Sequence, residues 1–241
     1  MFPEALDRSA PGSQTGVEVA HGSRMSDETT LVTSAHIAYL AARTRQDDDF
    51  LHRLKAAARA AQLPEIWIAP EQASFMQVLL KLKGARDVVV VGTLAGYSAI
   101  TLARALPRGG RLRTIEIDEP RAAFAASWIA QSDVADRIEV LRGDAAAILP
   151  TFPDGSADAV FLDANKSGYA RYLREALRLL RPAGLVMVDN AFAFGELFAP
   201  APLDRETAAV REFNEVMART PGLHSVIVPL GDGLWVGVKE A

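Results

Sequence analysis

Short apolar runs separated by turn residues divide most of this chain into strands and amphipathic helices. The stretch from Asp87 to Ser98 reads DVVVVGTLAGYS. Its four valines, Val88 to Val91, form the unbroken apolar run of a strand buried on both faces. Gly92 and Gly96 interrupt the run, and from Ser98 to Leu106 the spacing of Ile100, Leu102, Ala103 and Leu106 is helical. The same unit recurs downstream. Strands are predicted at Arg111–Ile117, Arg137–Leu141, Ala157–Leu162 and Leu185–Val188. Helices are predicted between and after them, at Arg121–Ser132, Ala145–Leu149, Tyr169–Leu180 and Arg205–Arg219. His224–Pro229 and Leu234–Lys239 flank Gly231-Asp232-Gly233, a hairpin signal. Upstream, helices are expected at Ser34–Arg43, at Asp48–Ala61 and from Pro70 to Gly84. The alternation predicts one α/β domain over residues 34–241. Its sheet is Rossmann-like, seven-stranded and mostly parallel, with an antiparallel last strand and helices on both faces. Residues 1–33 are polar and lack periodicity, which reads as a tail or as an arm lying on a neighbouring subunit.

Composition narrows the class. Of 241 residues 49% are hydrophobic and 23% charged, enough to build a sizeable core and unlike a disordered chain. A net charge of −4 carries no electrostatic footprint for nucleic acid. With no Cys, disulfides and thiolate metal sites are excluded. No apolar run approaches the ~18 residues of a membrane span, and the N-terminus lacks a charged-then-apolar signal pattern. The expectation is a soluble cytoplasmic protein with no membrane partner.

Parallel sheets bind ligands at the carboxyl ends of their strands. The first strand ends on the Gly92-Thr93 turn, where backbone can approach a ligand and a helix N-terminus can point at it. The second ends on Glu116, placed to accept hydrogen bonds from ribose hydroxyls. Asp118 and Asp144 follow strands as helix N-caps do; Glu116, inside the strand end, is less suited to capping and reads as a ligand-binding residue. After the fourth strand comes Asp163-Ala164-Asn165-Lys166 and after the fifth Asp189-Asn190. Asp163, Asp189 and Asn190 supply three oxygens suited to a hard divalent cation such as Mg²⁺. Lys166 lies a short step from them, where a neighbouring cation favours a lysine acting as general base. The four histidines show no metal-ligand spacing.

With these residues in place the chain resembles the cation-dependent O-methyltransferases that use S-adenosylmethionine, the group of catechol and caffeoyl-CoA O-methyltransferases. The matching stretches are IAPEQASFM (68–76), GTLAGYS (92–98), TIEID (114–118), GDA (143–145), FLDANK (161–166), VMVDN (186–190) and PLGDG (229–233). The resemblance implies the class I methyltransferase form of the fold and a role for each matched position. Ile68, Gly92, Thr93 and Ser98 would hold the methionine part of S-adenosylmethionine, with Asp163 also on the cofactor side. Glu116 would hold its ribose and Ala145 its adenine. Asp163, Asp189 and Asn190 would bind Mg²⁺ or another divalent cation such as Mn²⁺, and Lys166 would take the proton from the acceptor hydroxyl. The acceptor would be an aromatic small molecule with vicinal hydroxyls, and the usual state of the family is a homodimer.

The chain departs from the family pattern at three places. Val90 stands where a Glu is usual, Asn165 where many members have Asp, and Ala191-Phe192-Ala193-Phe194 where many have a Trp. Asn165, Phe192 and Phe194 are therefore candidate acceptor contacts, with Phe198 and Trp67 as further aromatic walls. Two other readings stay open. A nucleotide-dependent oxidoreductase could use the same glycine turn and second-strand acid, although Val90 removes the first glycine of G-x-G-x-x-G. A non-catalytic cofactor-binding protein would have no use for Lys166 and the oxygen set.

Overall fold

The computed structural model describes residues 32–240. The tail or arm reading of residues 1–33 falls almost wholly outside them. Three helices come first: α1 (Ser34–Ala41), α2 (Asp49–Ala60) and α3 (Pro70–Lys83). Asp48 caps α2 by accepting from Leu51 N at 2.9 Å, and Gly84, left-handed at φ 66°, closes α3. There follow β1 (Asp87–Val91), α4 (Tyr97–Ala103), β2 (Arg111–Glu116), α5 (Glu119–Ile129) and β3 (Ile138–Arg142). Next come α6 (Ala145–Ile148), β4 (Ala157–Leu162), α7 (Tyr169–Leu179), β5 (Leu180–Val188), α8 (Arg205–Arg219), β6 (Leu223–Val228) and β7 (Leu234–Lys239).

The seven strands form one sheet in the order β3-β2-β1-β4-β5-β7-β6. β1 to β5 are mutually parallel, and β7 runs antiparallel to both neighbours, β5 and β6. The valine run explains itself in this setting. Val88 and Val90 pack into the layer built with α3 and α4, while Val89 and Val91 pack into the layer built with α7. A strand covered on both sides shows no polar alternation because neither face meets water.

Element boundaries shift by a few residues from the sequence expectation. The largest shift is β5, which begins at Leu180 directly from α7 rather than at Leu185, with Leu180 paired to Ala157 and a register slip before Ala159. Pro182 and Gly184 hide this strand start from a reading based on apolar runs. α1 buries no residue.

β1 and β4 are neighbours although β2 and β3 lie between them in sequence, so connections from these two strands leave toward opposite sides and open a crevice at their carboxyl ends. Gly92 lies at that point with φ 99°, and a Cβ there would sit 1.8 Å from the Asp163 carbonyl oxygen. Only glycine lets the β1 turn and the β4 end approach this closely. Across the sheet the β6–β7 turn folds back onto the segment after β5. Ala191 N donates to Gly233 O and Phe192 N to Asp232 O, each at 2.9 Å.

Candidate active site

A cavity of about 700 Å³ opens at the carboxyl ends of β1, β2, β4 and β5. One side is the glycine turn. Glu116 is buried there with both carboxylate oxygens engaged: Oε2 accepts from Thr93 N (3.2 Å) and Leu94 N (2.8 Å), and Oε1 from Asp118 N (3.0 Å). Glu116 is the N-cap of neither neighbouring helix, as α4 starts from Gly96 and α5 from Asp118. Its carboxylate satisfies three otherwise unpaired amides, and it also lines the cavity. The Thr93 and Thr114 hydroxyls bond each other at 2.6 Å beneath the turn.

Ile68, Gly92, Thr93, Ser98 and Ala145 all reach the cavity wall, as does Trp67. Ala145 opens α6, whose cap Asp144 accepts from Ala146 N at 2.8 Å, and Asp118 caps α5 through Arg121 N at 2.9 Å. Val90 is fully buried in the α3–α4 layer and takes no part in the wall. Behind that wall, Asp47 of the loop before α2, Lys55 of α2 and Tyr97 of α4 form a largely buried trio that the sequence reading missed. Asp47 accepts from Tyr97 OH at 2.7 Å and pairs with Lys55 Nζ at 2.5 Å, and Tyr97 lines the cavity. Burial, and then the Asp47 carboxylate, hold the Tyr97 hydroxyl protonated well above its ordinary range.

The other side gathers the polar residues of the β4 and β5 ends. Asp163 and Lys166 lie 3.4 Å apart, and the Lys166 Nζ donates to the buried Tyr169 hydroxyl at 2.7 Å. Asp189 is buried, and its Oδ1 accepts from Gln72 Nε2 of α3 at 2.6 Å. Burial, followed by the charge of Asp163, pushes the Asp189 carboxyl up to about 7. Asn190, left-handed at φ 68°, turns its Nδ2 to Asp232 Oδ2 at 3.1 Å, which leaves the amide oxygen for another partner. Asp232 also accepts from Phe194 N at 2.8 Å. Lys166 N donates to Glu206 Oε2 of α8 at 2.9 Å.

Among the described residues no three His, Cys, Asp or Glu side chains cluster as a metal cage. The donor set here is instead two carboxylates and an amide oxygen. A buried acid, Asp189, raised toward neutrality beside the charge of the partly exposed Asp163, fits a hard cation that would compensate both charges.

The candidate acceptor contacts divide. Asn165 lines the cavity and is fixed by Tyr172 OH, which donates to its Oδ1 at 2.8 Å. Phe194 lines the cavity and is half exposed. Phe192 does not line it: its ring covers Gly233, where a Cβ would meet the ring at 2.8 Å. Phe198 points to solvent at 93% exposure and walls nothing. Residues missed in the sequence were Gln72, Tyr169, Tyr172, Glu206 and Asp232. Gln72 and Asp232 lie in stretches that carry the family resemblance, 68–76 and 229–233, without a role that the sequence assigns them.

The chain matches the O-methyltransferase family over residues 41–240, and it belongs to that family. It is 35% identical over 198 residues to a catechol O-methyltransferase of Niastella koreensis, covering 81% of this chain and 87% of that protein. It is 36% identical over 196 residues to a catechol O-methyltransferase of Mycobacterium tuberculosis, covering 81% and 89%. Among solved structures, the Bacillus cereus O-methyltransferase in complex with SAH superposes with a TM-score of 0.78 at 32% identity, covering 86% of this chain and 97% of that one. The protein is thus an enzyme of the methyl-transferring kind, with the Rossmann-like fold of its relatives. Neither the oxidoreductase nor the non-catalytic reading gains support from this kinship.

Proposed function

We propose that this enzyme transfers a methyl group from S-adenosylmethionine to one hydroxyl of a vicinal-diol, catechol-like aromatic, with a divalent cation at the acceptor. Residues 34–241 act as one methyltransferase unit, and the assembly is a homodimer. The observation that carries this reading is that Asp163, Lys166 and Asn190 line one cavity with the Gly92 turn and Glu116, while Asp189, next to Asn190 in the chain, is held by Gln72.

In this reading Ile68, Thr93 and Ser98 hold the methionine end of the donor over Gly92, with Asp163 beside it. Glu116 receives the ribose, and Ala145 lies against the adenine. Asp163, Asp189 and Asn190 would hold Mg²⁺ or Mn²⁺, whose positive charge would make an acceptor hydroxyl more acidic. Gln72 and Asp232 fix the orientations of Asp189 and Asn190. The proton of the reacting hydroxyl passes to Lys166 Nζ, which Tyr169 holds in place. The oxygen then attacks the methyl carbon in line, the carbon–sulfur bond breaks, and the sulfide leaves as S-adenosylhomocysteine. Because the donor is already activated, orientation accounts for most of the barrier reduction.

The test is turnover with catechol, the donor and Mg²⁺. The wild-type enzyme should release S-adenosylhomocysteine and a monomethyl ether in equal amounts. Lys166→Met keeps the apolar stem and removes the ammonium. It should lower turnover by roughly 10²–10⁴-fold, the contribution of a positioned base, with donor affinity unchanged. Near-full turnover in Lys166→Met would remove Lys166 as the base, and no methyl ether from the wild type would remove the proposal.

A further inference from the structure

Resting on the reading that the methionine end of the donor lies over Gly92, the wall behind that end acquires a role of its own. A second cavity, of about 350 Å³, opens between the loop before α2, α3 and α4. Its lining is polar and includes Gln77, Thr101, Arg45 and Arg104. Tyr97 alone lines both this cavity and the larger one. Its backbone follows the glycine turn, while its hydroxyl reaches Asp47 on the wall of the second cavity. One aromatic side chain thus spans the divide between the two spaces.

The ring is pinned from two directions. Its hydroxyl donates to Asp47 Oδ1, and Lys55 Nζ, paired with Asp47 Oδ2, lies 4.1 Å from the ring centre. The same ammonium lies 5.4 Å from the centre of the Trp67 ring, on the wall of the larger cavity. A buried ion pair adds little net stability over apolar side chains of similar size. What this pair does is fix a ring. Swinging Tyr97 aside would take a hydrogen bond from a largely buried carboxylate, so the wall stays shut.

We propose that Tyr97 is a specificity-determining residue for the donor: its ring, held by Asp47 and Lys55, ends the donor cavity and rejects donors extended at the methionine carboxylate. Asp47 and Lys55 are positioning residues that act through the ring. A fixed obstacle discriminates against the larger ligand without tightening the grip on the correct one. The second cavity is the space an extended donor would need, and Arg45 and Arg104 on its wall would take the displaced carboxylate.

Two ligands that differ only at this end test the proposal: S-adenosylhomocysteine, and the same molecule with glycine joined to its carboxyl group through an amide bond. Calorimetry gives both affinities for one protein, and their ratio cancels any loss of folded material. The wild-type enzyme should favour S-adenosylhomocysteine by roughly tenfold or more. Tyr97→Leu removes the ring but keeps apolar volume, and should shrink that ratio by about tenfold. Tyr97→Phe keeps the ring and drops its anchor on Asp47, and should shrink the ratio by about threefold. Should Tyr97→Leu fail to fold, Tyr97→Phe, which removes a single oxygen, carries the test. A merely structural role for the trio would lower stability and leave the ratio at its wild-type value. If S-adenosylhomocysteine binds but the wild-type ratio is near one, or neither change of Tyr97 moves it, the inference is overturned and the donor reading stands. If S-adenosylhomocysteine does not bind the wild type, the donor reading fails and this inference fails with it.

Discussion

Asp189 shows what single residues contribute to this site. A carboxylate buried beside Asp163 is held partly neutral by its surroundings, against the opposing pull of hydrogen bonds from Gln72 and the Asn190 backbone and of the Lys166 charge. Its folded value of about 7 lies above the ordinary carboxylate value of 3.8. A group raised in this way contributes stability below the unfolded value and loses it as pH rises through the folded value. In metal-free protein the difference in Tm between wild type and Asp189→Asn should therefore move against the wild type as pH rises from about 4 to about 7. Comparing the two proteins cancels the titration of every other group, and Mg²⁺ should close the gap at the upper end. Thermal unfolding at a series of pH values reads this directly. A difference that stays constant with pH would show that burial beside Asp163 does not strain Asp189 in the absence of a cation.

At the scale of elements, the contact between the β1 turn and the β4 end sets the geometry of the cavity. Gly92→Ala would drive a methyl group against the Asp163 carbonyl, and its φ of 99° is strained for any side chain. The variant should lose donor binding by at least tenfold, since either the turn or the Asp163 loop must move; unchanged affinity by calorimetry would show that the turn is not where the donor lies. The alternation of strands and helices was legible from the chain because buried parallel strands leave continuous apolar runs, as Val88–Val91 do. Asp163, Lys166 and Asp189 were legible because strand ends in such a sheet are where ligands bind. Gln72, Glu206 and Asp232 were not. Each reaches the site from an element distant in sequence, Gln72 lying 117 positions from Asp189, and no local pattern records such a meeting. Glu116 was read for the ligand and not for the turn, because its bonds to Thr93 and Leu94 depend on the parallel pairing of β1 with β2. The separation of Phe194 from Phe192 was equally invisible, since it follows from left-handed backbone at Ala193 and Phe194.

For the whole molecule, the sheet order assembles one site from the ends of four strands, with α3, α8 and the β6–β7 turn closing around it. Each of those contributions orients one of the oxygens or the lysine proposed to work at the acceptor. None of the described helices is long and apolar enough to cross a membrane. The central claim is that Asp163, Asp189 and Asn190 exist to hold a divalent cation at the acceptor hydroxyls. The most direct measurement is the rate of methyl transfer from S-adenosylmethionine to catechol after exhaustive treatment with EDTA, and again after Mg²⁺ is restored. The rate should fall to background without the cation and return in full with it, whereas an undiminished rate in metal-free buffer would contradict the claim.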